Sequence, residues 1–194
     1  MEKSTGLKRV KTAVLISGNG SNLKQLIKFS NLKKSPINIE IVISSNPSAR
    51  GLEIAKKYKI KTKILSFHNK FEDENKIIKI FKEKKINLIC LAGFMKILSV
   101  KFIEKFNGKI LNIHPSLLPK YKGLNTHQRV IDNNEKFSGC TVHFVNSKLD
   151  SGRIILQKKV KIYNKDNSKT LAKRILKQEH ILYPKAIKKL FFNP

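Results

Sequence analysis

Asn112 and His114 stand one residue apart at the end of the apolar run in "LNIHPSLLPKY", directly ahead of Pro115. A residue preceding proline is biased toward extended backbone, so the run reads as a strand that exits at His114. Side chains alternate along a strand, which sends both residues to the same side. A carboxamide beside an imidazole suits a reaction in which negative charge appears on a carbonyl oxygen while a proton moves. A structural histidine at a strand end accounts for the same residue types.

Asp150, in the turn "NSKLDSGR", is the third candidate. If that loop folds over His114, its carboxylate orients the ring and favours the charged form. An Asx turn is the plainer reading. A further loop, "SGNGSNL" over residues 17 to 23, holds Asn19, Gly20, Ser21 and Asn22 between an apolar run and a helical pattern. Glycines there permit positive φ and let the N–H groups of a helix N-terminus face an anion, phosphate being the natural guest. A dinucleotide fingerprint is absent. Leu23 stands where its third glycine belongs, and Ser44, Ser45 and Asn46 stand where an acidic residue should close the second strand. A tight turn capped by Ser21 or Asn22 is the structural alternative.

The elements that must position these residues alternate along the chain. "TAVLIS", "INIEIVISS", "KTKIL", "NLICLA", "KILNIH", "SGCTVHFV" and "RIILQKKVKI" read as strands, the last two as neighbours. Helices are expected through "NLKQLIKF", after Pro47 in "PSARGLEIAKKYKI", from about Phe71 to Lys85, around "SVKFIEKF", at "HQRVIDNN" and from "SKTLAKR" to "KAIKKLF". This alternation predicts an α/β fold, a single-domain, mostly parallel twisted sheet with helices on both faces. Ligands then bind at the carboxyl ends of the strands. One domain over residues 1–194 is expected, with about residues 1–10 as a polar N-terminal extension.

Smaller features receive bland readings. His143 in "TVHFV" alternates with apolar neighbours, which leaves it facing the catalytic side or satisfied in the core, the core reading being preferred, and His127 is read as capping or packing near a helix start. Glu72, Asp73 and Glu74 are read as a solvated first turn favoured by the helix dipole. Cys90 and Cys140 fall inside strands without metal-site or redox spacing, which implies buried, reduced thiols.

Charge bounds the partners. The 194 residues carry 41 Lys+Arg against 13 Asp+Glu, a net of +28, yet only five are arginines, at positions 9, 50, 129, 153 and 174. Arginine reads guanine and stacks on bases, and the lysines are spread along every segment. Nucleic acid is therefore disfavoured as a partner, while small-molecule anionic substrates would be steered to such a surface. No apolar stretch reaches spanning length and the start is polar, so no membrane association and a cytoplasmic location are expected. A monomer or a homodimer is compatible with so evenly charged a surface.

Six motifs, "LISGNGSNL", "LAGFMKIL", "LNIHPSLLPKYKG", "TVHFV", "LDSG" and "QEHILYP", occur in an order and spacing that resembles the phosphoribosylglycinamide formyltransferase family over about residues 11–190. The resemblance implies a Rossmann-like formyltransferase fold and transfer of a formyl group from 10-formyltetrahydrofolate, as co-substrate, to the amino group of glycinamide ribonucleotide in purine synthesis. Matched motif to motif, it implies Asn112, His114 and Asp150 as catalytic residues. Asn19, Gly20, Ser21 and Asn22 would hold the ribonucleotide phosphate, and Glu179 would approach its glycinamide end. Lys70, Phe94, Met95, Lys96, Ile97, Leu98 and Asn112 would face the folate. It also implies a cis peptide at Leu118-Pro119, and it requires no metal and no covalent enzyme intermediate.

Three positions depart from that pattern: Lys70 and Lys96 stand where arginine is common, and Arg153 where proline is usual, which predicts a less rigid Asp150 loop. Methionyl-tRNA formyltransferase and formyltetrahydrofolate hydrolase are the alternatives on the same scaffold. The first is expected to carry a further C-terminal domain and to lack "GNGSNL", and the second to carry an N-terminal regulatory domain. A basic RNA-binding protein, the alternative from another class, would have no use for Asn112, His114 and Asp150.

Overall fold

A computed structural model describes residues 8–192 of the chain. The expected N-terminal extension over about residues 1–10 lies mostly outside them. In chain order the elements are β1 (Val10–Ile16), α1 (Ser21–Ser30), β2 (Ile37–Ser44), α2 (Arg50–Lys57), β3 (Lys61–Ile64), α3 (Lys70–Lys84), β4 (Leu88–Leu91), α4 (Val100–Lys105), β5 (Lys109–His114), α5 (Thr126–Asp132), β6 (Phe137–Phe144), β7 (Ile154–Lys161) and α6 (Ser168–Phe192). Every strand and helix expected from the periodicity forms. The second helix is the shortest-changed, ending at Lys57 because Lys59 takes a positive φ of 56° and turns the chain into β3.

The strands make one seven-stranded sheet in the order β3-β2-β1-β4-β5-β6-β7. The first five run parallel, and β6 and β7 close the sheet as an antiparallel pair. Apolar runs suit such strands because both faces are covered. Along β1, Val14 and Ile16 join a core under α1, α2, α5 and α6, while Ala13 and Leu15 join a second core under α3 and α4. The same alternation sends Leu88 and Cys90 of β4 to the first core, and Ile89 and Leu91 to the second.

Connections leave β1 toward β2 on one side, while β4 lies on its other side. The carboxyl ends of β1 and β4 therefore flank the point where strand order reverses, where open α/β sheets form their ligand crevice. No helix among the described residues is long and apolar enough to cross a membrane. Both cysteines are buried and unpaired, and burial pushes each thiol up to about 12, so neither is a ready nucleophile.

Candidate active site

Three strand ends build the site side by side. Leu91 of β4 pairs with Leu15 of β1 on one side and with Asn112 of β5 on the other. The loops that follow β1, β4 and β5 are therefore neighbours.

The first loop, residues 17–20, turns into α1 through Gly20, whose φ is +71°. A Cβ at Gly20 would also lie 2.5 Å from the Gly51 Cα, so glycine is required twice over. The first intrahelical bond runs from the Lys24 N–H to the Gly20 carbonyl at 2.9 Å. The N–H groups of Ser21, Asn22 and Leu23 thus precede the helical ladder, and no acidic side chain occupies the first turn. No side chain caps this helix, which removes the capping alternative for Ser21 and Asn22. Asn22 is buried, and its Nδ2 donates to Glu179 Oε2 of α6 at 2.7 Å, while its Oδ1 is buried without a partner. Burial holds the Glu179 carboxyl above its usual range, opposed by the Asn22 hydrogen bond. Asn19 is exposed at the tip of the turn.

The β5 end carries the polar cluster. Asn112 and His114 do share a face, and the Asp150 loop folds onto it. His114 Nδ1 lies 3.3 Å from Asp150 Oδ2, with both side chains almost fully buried. His114 Nε2 lies 2.8 Å from the Tyr121 carbonyl. Each ring nitrogen thus faces an oxygen, an arrangement that an imidazolium satisfies with two donors and a neutral ring with only one. Asp150 itself has a φ of 46°, tolerated by aspartate better than by most residues, and its Oδ2 accepts the Gly123 N–H at 2.9 Å.

His143 completes the cluster: it is buried with both nitrogens partnered, as the core reading expects, yet it faces Asn112 on the catalytic side, the alternative position. It sits opposite Asn112 in the β5–β6 register, and Asn112 Nδ2 lies 3.2 Å from its Nε2 and 3.4 Å from Asp150 Oδ1. Its Nδ1 faces the Phe144 carbonyl at 2.8 Å, so a neutral ring protonated at Nδ1 leaves Nε2 free to accept the Asn112 amide. Burial pushes the His143 pKa down, consistent with that neutral form, against the Phe144 hydrogen bond and the Asp150 charge. The missed signal was in the strand itself: Cys140 and Val142 face the core, which puts Thr141 and His143 on the polar side. His127 near the start of α5 has an unpartnered, buried Nδ1 and a pKa lowered by burial and then by His114.

The turn after His114 is locked from two strands. Thr141 Oγ1 donates to the Ser116 carbonyl at 2.7 Å and accepts from the Leu118 N–H at 3.1 Å, and Gln157 Nε2 donates to the Leu118 carbonyl at 2.8 Å. Leu118-Pro119 is cis, as the family resemblance implied. The Asp150 loop is held as well, by the Lys122 Nζ contact to Ser151 Oγ at 2.5 Å and by the guanidinium of Arg153 over the Phe144 ring at 4.8 Å. The flexibility expected from Arg153 is offset by these contacts.

The β4 loop carries Phe94, Met95, Lys96, Ile97 and Leu98. Met95, Lys96 and Ile97 are exposed, Phe94 is half-buried and Leu98 is in the core. Phe94 meets Phe67 edge to face at 5.3 Å. Lys70 is the exposed first residue of α3. Of the three acids read as a solvated helix start, Glu72 is exposed but Asp73 and Glu74 are not. Asp73 and Glu74 are 7% and 5% exposed, and each accepts backbone N–H groups from a neighbouring loop, Phe67 at 2.8 Å and Ser99 at 2.7 Å.

With this geometry established, the chain is similar to known proteins along most of its length. The formyl transferase family pattern matches residues 10–187. Phosphoribosylglycinamide formyltransferase of Haemophilus influenzae is 45% identical over 181 residues, covering 92% of this chain and 85% of that protein. The human trifunctional purine biosynthetic protein adenosine-3 is 43% identical over 183 residues, 93% of this chain but only 18% of its own length. The crystal structure of phosphoribosylglycinamide formyltransferase from Brucella melitensis superposes with a TM-score of 0.90 at 42% identity, covering 96% of this chain and 98% of that one.

Proposed function

From the premise that the chain belongs to the formyl transferase family, we propose that it moves the formyl group of 10-formyltetrahydrofolate to the amino group of glycinamide ribonucleotide. The observation that carries this reading is the convergence of Asn112, His114 and Asp150 at the carboxyl end of β5, one strand beyond the strand-order switch, with a helix N-terminus suited to phosphate following β1.

The ribonucleotide phosphate binds the N–H groups opening α1, with Asn19, Gly20, Ser21 and Asn22 around it. Glu179, drawn against Asn22, meets the glycinamide end. The folate lies along residues 94–98 with its formyl group toward Asn112, and Lys70 supplies positive charge nearby. The substrate amine attacks the formyl carbon, forming the N–C bond and moving the carbonyl electron pair onto oxygen. One Asn112 amide hydrogen is held by His143; the other makes only the long 3.4 Å contact to Asp150, which the formyl oxygen takes over. His114, whose Nδ1 is held by Asp150, adds a second donor once its Nε2 hydrogen turns from the Tyr121 carbonyl to the formyl oxygen. Losing one donor of this kind typically costs about 3 to 4 kcal/mol of transition-state stabilisation. Collapse of the intermediate breaks the bond from carbon to folate nitrogen. The amine proton is passed to that nitrogen, so formylated nucleotide and tetrahydrofolate leave as neutral amide and neutral amine.

No metal or covalent enzyme intermediate is invoked. The partners of this reading are small anions, not nucleic acid or membrane, and the enzyme acts in the cytoplasm as a monomer or homodimer. Incubation with a formyl-folate labelled in its formyl carbon, followed by mass spectrometry of the nucleotide, tests the reading. Label on the glycinamide nitrogen supports it, and label released as free formate contradicts it.

A further inference from the structure

Residues 92–99, between β4 and α4, form no helix or strand, yet this is the segment on which the folate reading depends. Met95 and Ile97 within it are 67% and 66% exposed, so core packing does not fix its middle. Its two ends are fixed by polar groups from distant elements. At the start, the Ser17 N–H donates to the Gly93 carbonyl at 3.0 Å, and Ser17 Oγ accepts the Met95 N–H at 2.8 Å while sharing a 2.6 Å hydrogen bond with Ser45. At the finish, Glu74 of α3 takes both polar groups of Ser99. Oε1 accepts the Ser99 N–H at 2.7 Å, and Oε2 accepts its hydroxyl in a short contact. The same hydroxyl then accepts the Phe102 N–H at 3.0 Å and starts α4.

We propose that Glu74 is a positioning residue for the folate-facing loop, setting where Met95 to Leu98 stand relative to Asn112. A carboxylate 5% exposed is costly unless its oxygens are matched, and here the two oxygens span two donors of one residue. That bidentate grip fixes the direction of the chain at Ser99 as well as its place. Asp73, one residue earlier, holds the Phe67 N–H at 2.8 Å, and Phe67 supports Phe94 from the other side. The first turns of α3 therefore brace both walls of this loop. Displacement of the loop alters how a ligand is held without touching the polar cluster around His114, so the effect falls on binding of one substrate.

The inference rests on the reading that residues 94–98 line the folate site, and the test separates the two. Wild-type enzyme, Glu74→Ala, Glu74→Gln and Ser99→Ala are compared by steady-state kinetics with each substrate varied, alongside thermal denaturation. Glu74→Ala should raise the formyl-folate KM about tenfold, with kcat and the ribonucleotide KM within about twofold of wild type. Glu74→Gln, which can still accept the Ser99 N–H and donate to its hydroxyl, should stay within about threefold of wild type. If Glu74→Ala fails to fold, Ser99→Ala decides, with a formyl-folate KM about threefold raised. An unchanged formyl-folate KM in a folded, destabilised variant would overturn the inference, as would equal losses for both substrates. Absence of nucleotide-dependent transfer in the wild type would instead remove the functional reading beneath it.

Discussion

Asp150 Oδ2 lies 3.3 Å from His114 Nδ1 in a setting where both side chains are almost fully buried, and the opposite ring nitrogen meets the Tyr121 carbonyl. The carboxylate thus fixes the ring's orientation and supplies the acceptor for its second donor. Asp150→Asn keeps the shape and removes the charge. It should lower kcat by roughly 100- to 10,000-fold while circular dichroism and denaturation midpoints stay close to wild type. Rapid-quench or steady-state kinetics check this.

His143 accepts the Asn112 amide at 3.2 Å, so under the proposed mechanism its effect on the reaction passes through Asn112. His143→Gln should reduce kcat about tenfold, less than loss of Asn112 itself, with little effect on either KM.

The same residue predicts a pH dependence of stability. Burial lowers its folded-state pKa below the ordinary 6.5. A depressed value means that the stabilising contribution is fully present above 6.5 and is lost as pH falls through the folded-state value. Urea denaturation at pH 7.5 and at pH 5.5 should show a smaller loss on acidification for His143→Gln than for wild type.

Glu179 works with the opposite sign. Burial raises its folded-state pKa above the ordinary 4.5, so the folded state gains from the protonated form below that value and loses the gain as pH rises. Glu179→Gln retains a partner for the Asn22 amide and removes the buried charge. Its melting temperature should exceed that of wild type at pH 7.5 by more than it does at pH 4.5, as differential scanning calorimetry would record.

Gly20→Ala tests the proposed phosphate-binding turn. A φ of +71° and a Cβ only 2.5 Å from the Gly51 backbone make alanine strained on two counts. A stability loss of at least about 1 to 2 kcal/mol is expected in chemical denaturation, together with a raised ribonucleotide KM.

Much of the fold was legible because its local signals agree. Apolar runs such as "TAVLIS" and "NLICLA" end at loops bearing glycine, and each became a parallel strand covered on both faces. Asn112 and His114 were legible because strand alternation and the following proline state their side and their exit. Asp150 was identifiable only as a candidate, since its approach to His114 depends on how β6 and β7 return across the sheet. The side His143 takes is not legible locally, because "TVHFV" fits a core position and a catalytic-side one equally well until its pairing with β5 is known. Asp73 and Glu74 were misread for a similar reason. Acids in a first helical turn usually face water, and nothing local marks Phe67 and Ser99 as their partners.

The most direct measurement follows formyl-folate absorbance in the presence and absence of glycinamide ribonucleotide, for wild type and for Asp150→Asn. Conversion to tetrahydrofolate is expected only when the nucleotide is present, with near-complete loss of that conversion in the variant. Consumption of the formyl-folate without nucleotide, or turnover undiminished in Asp150→Asn, would contradict it.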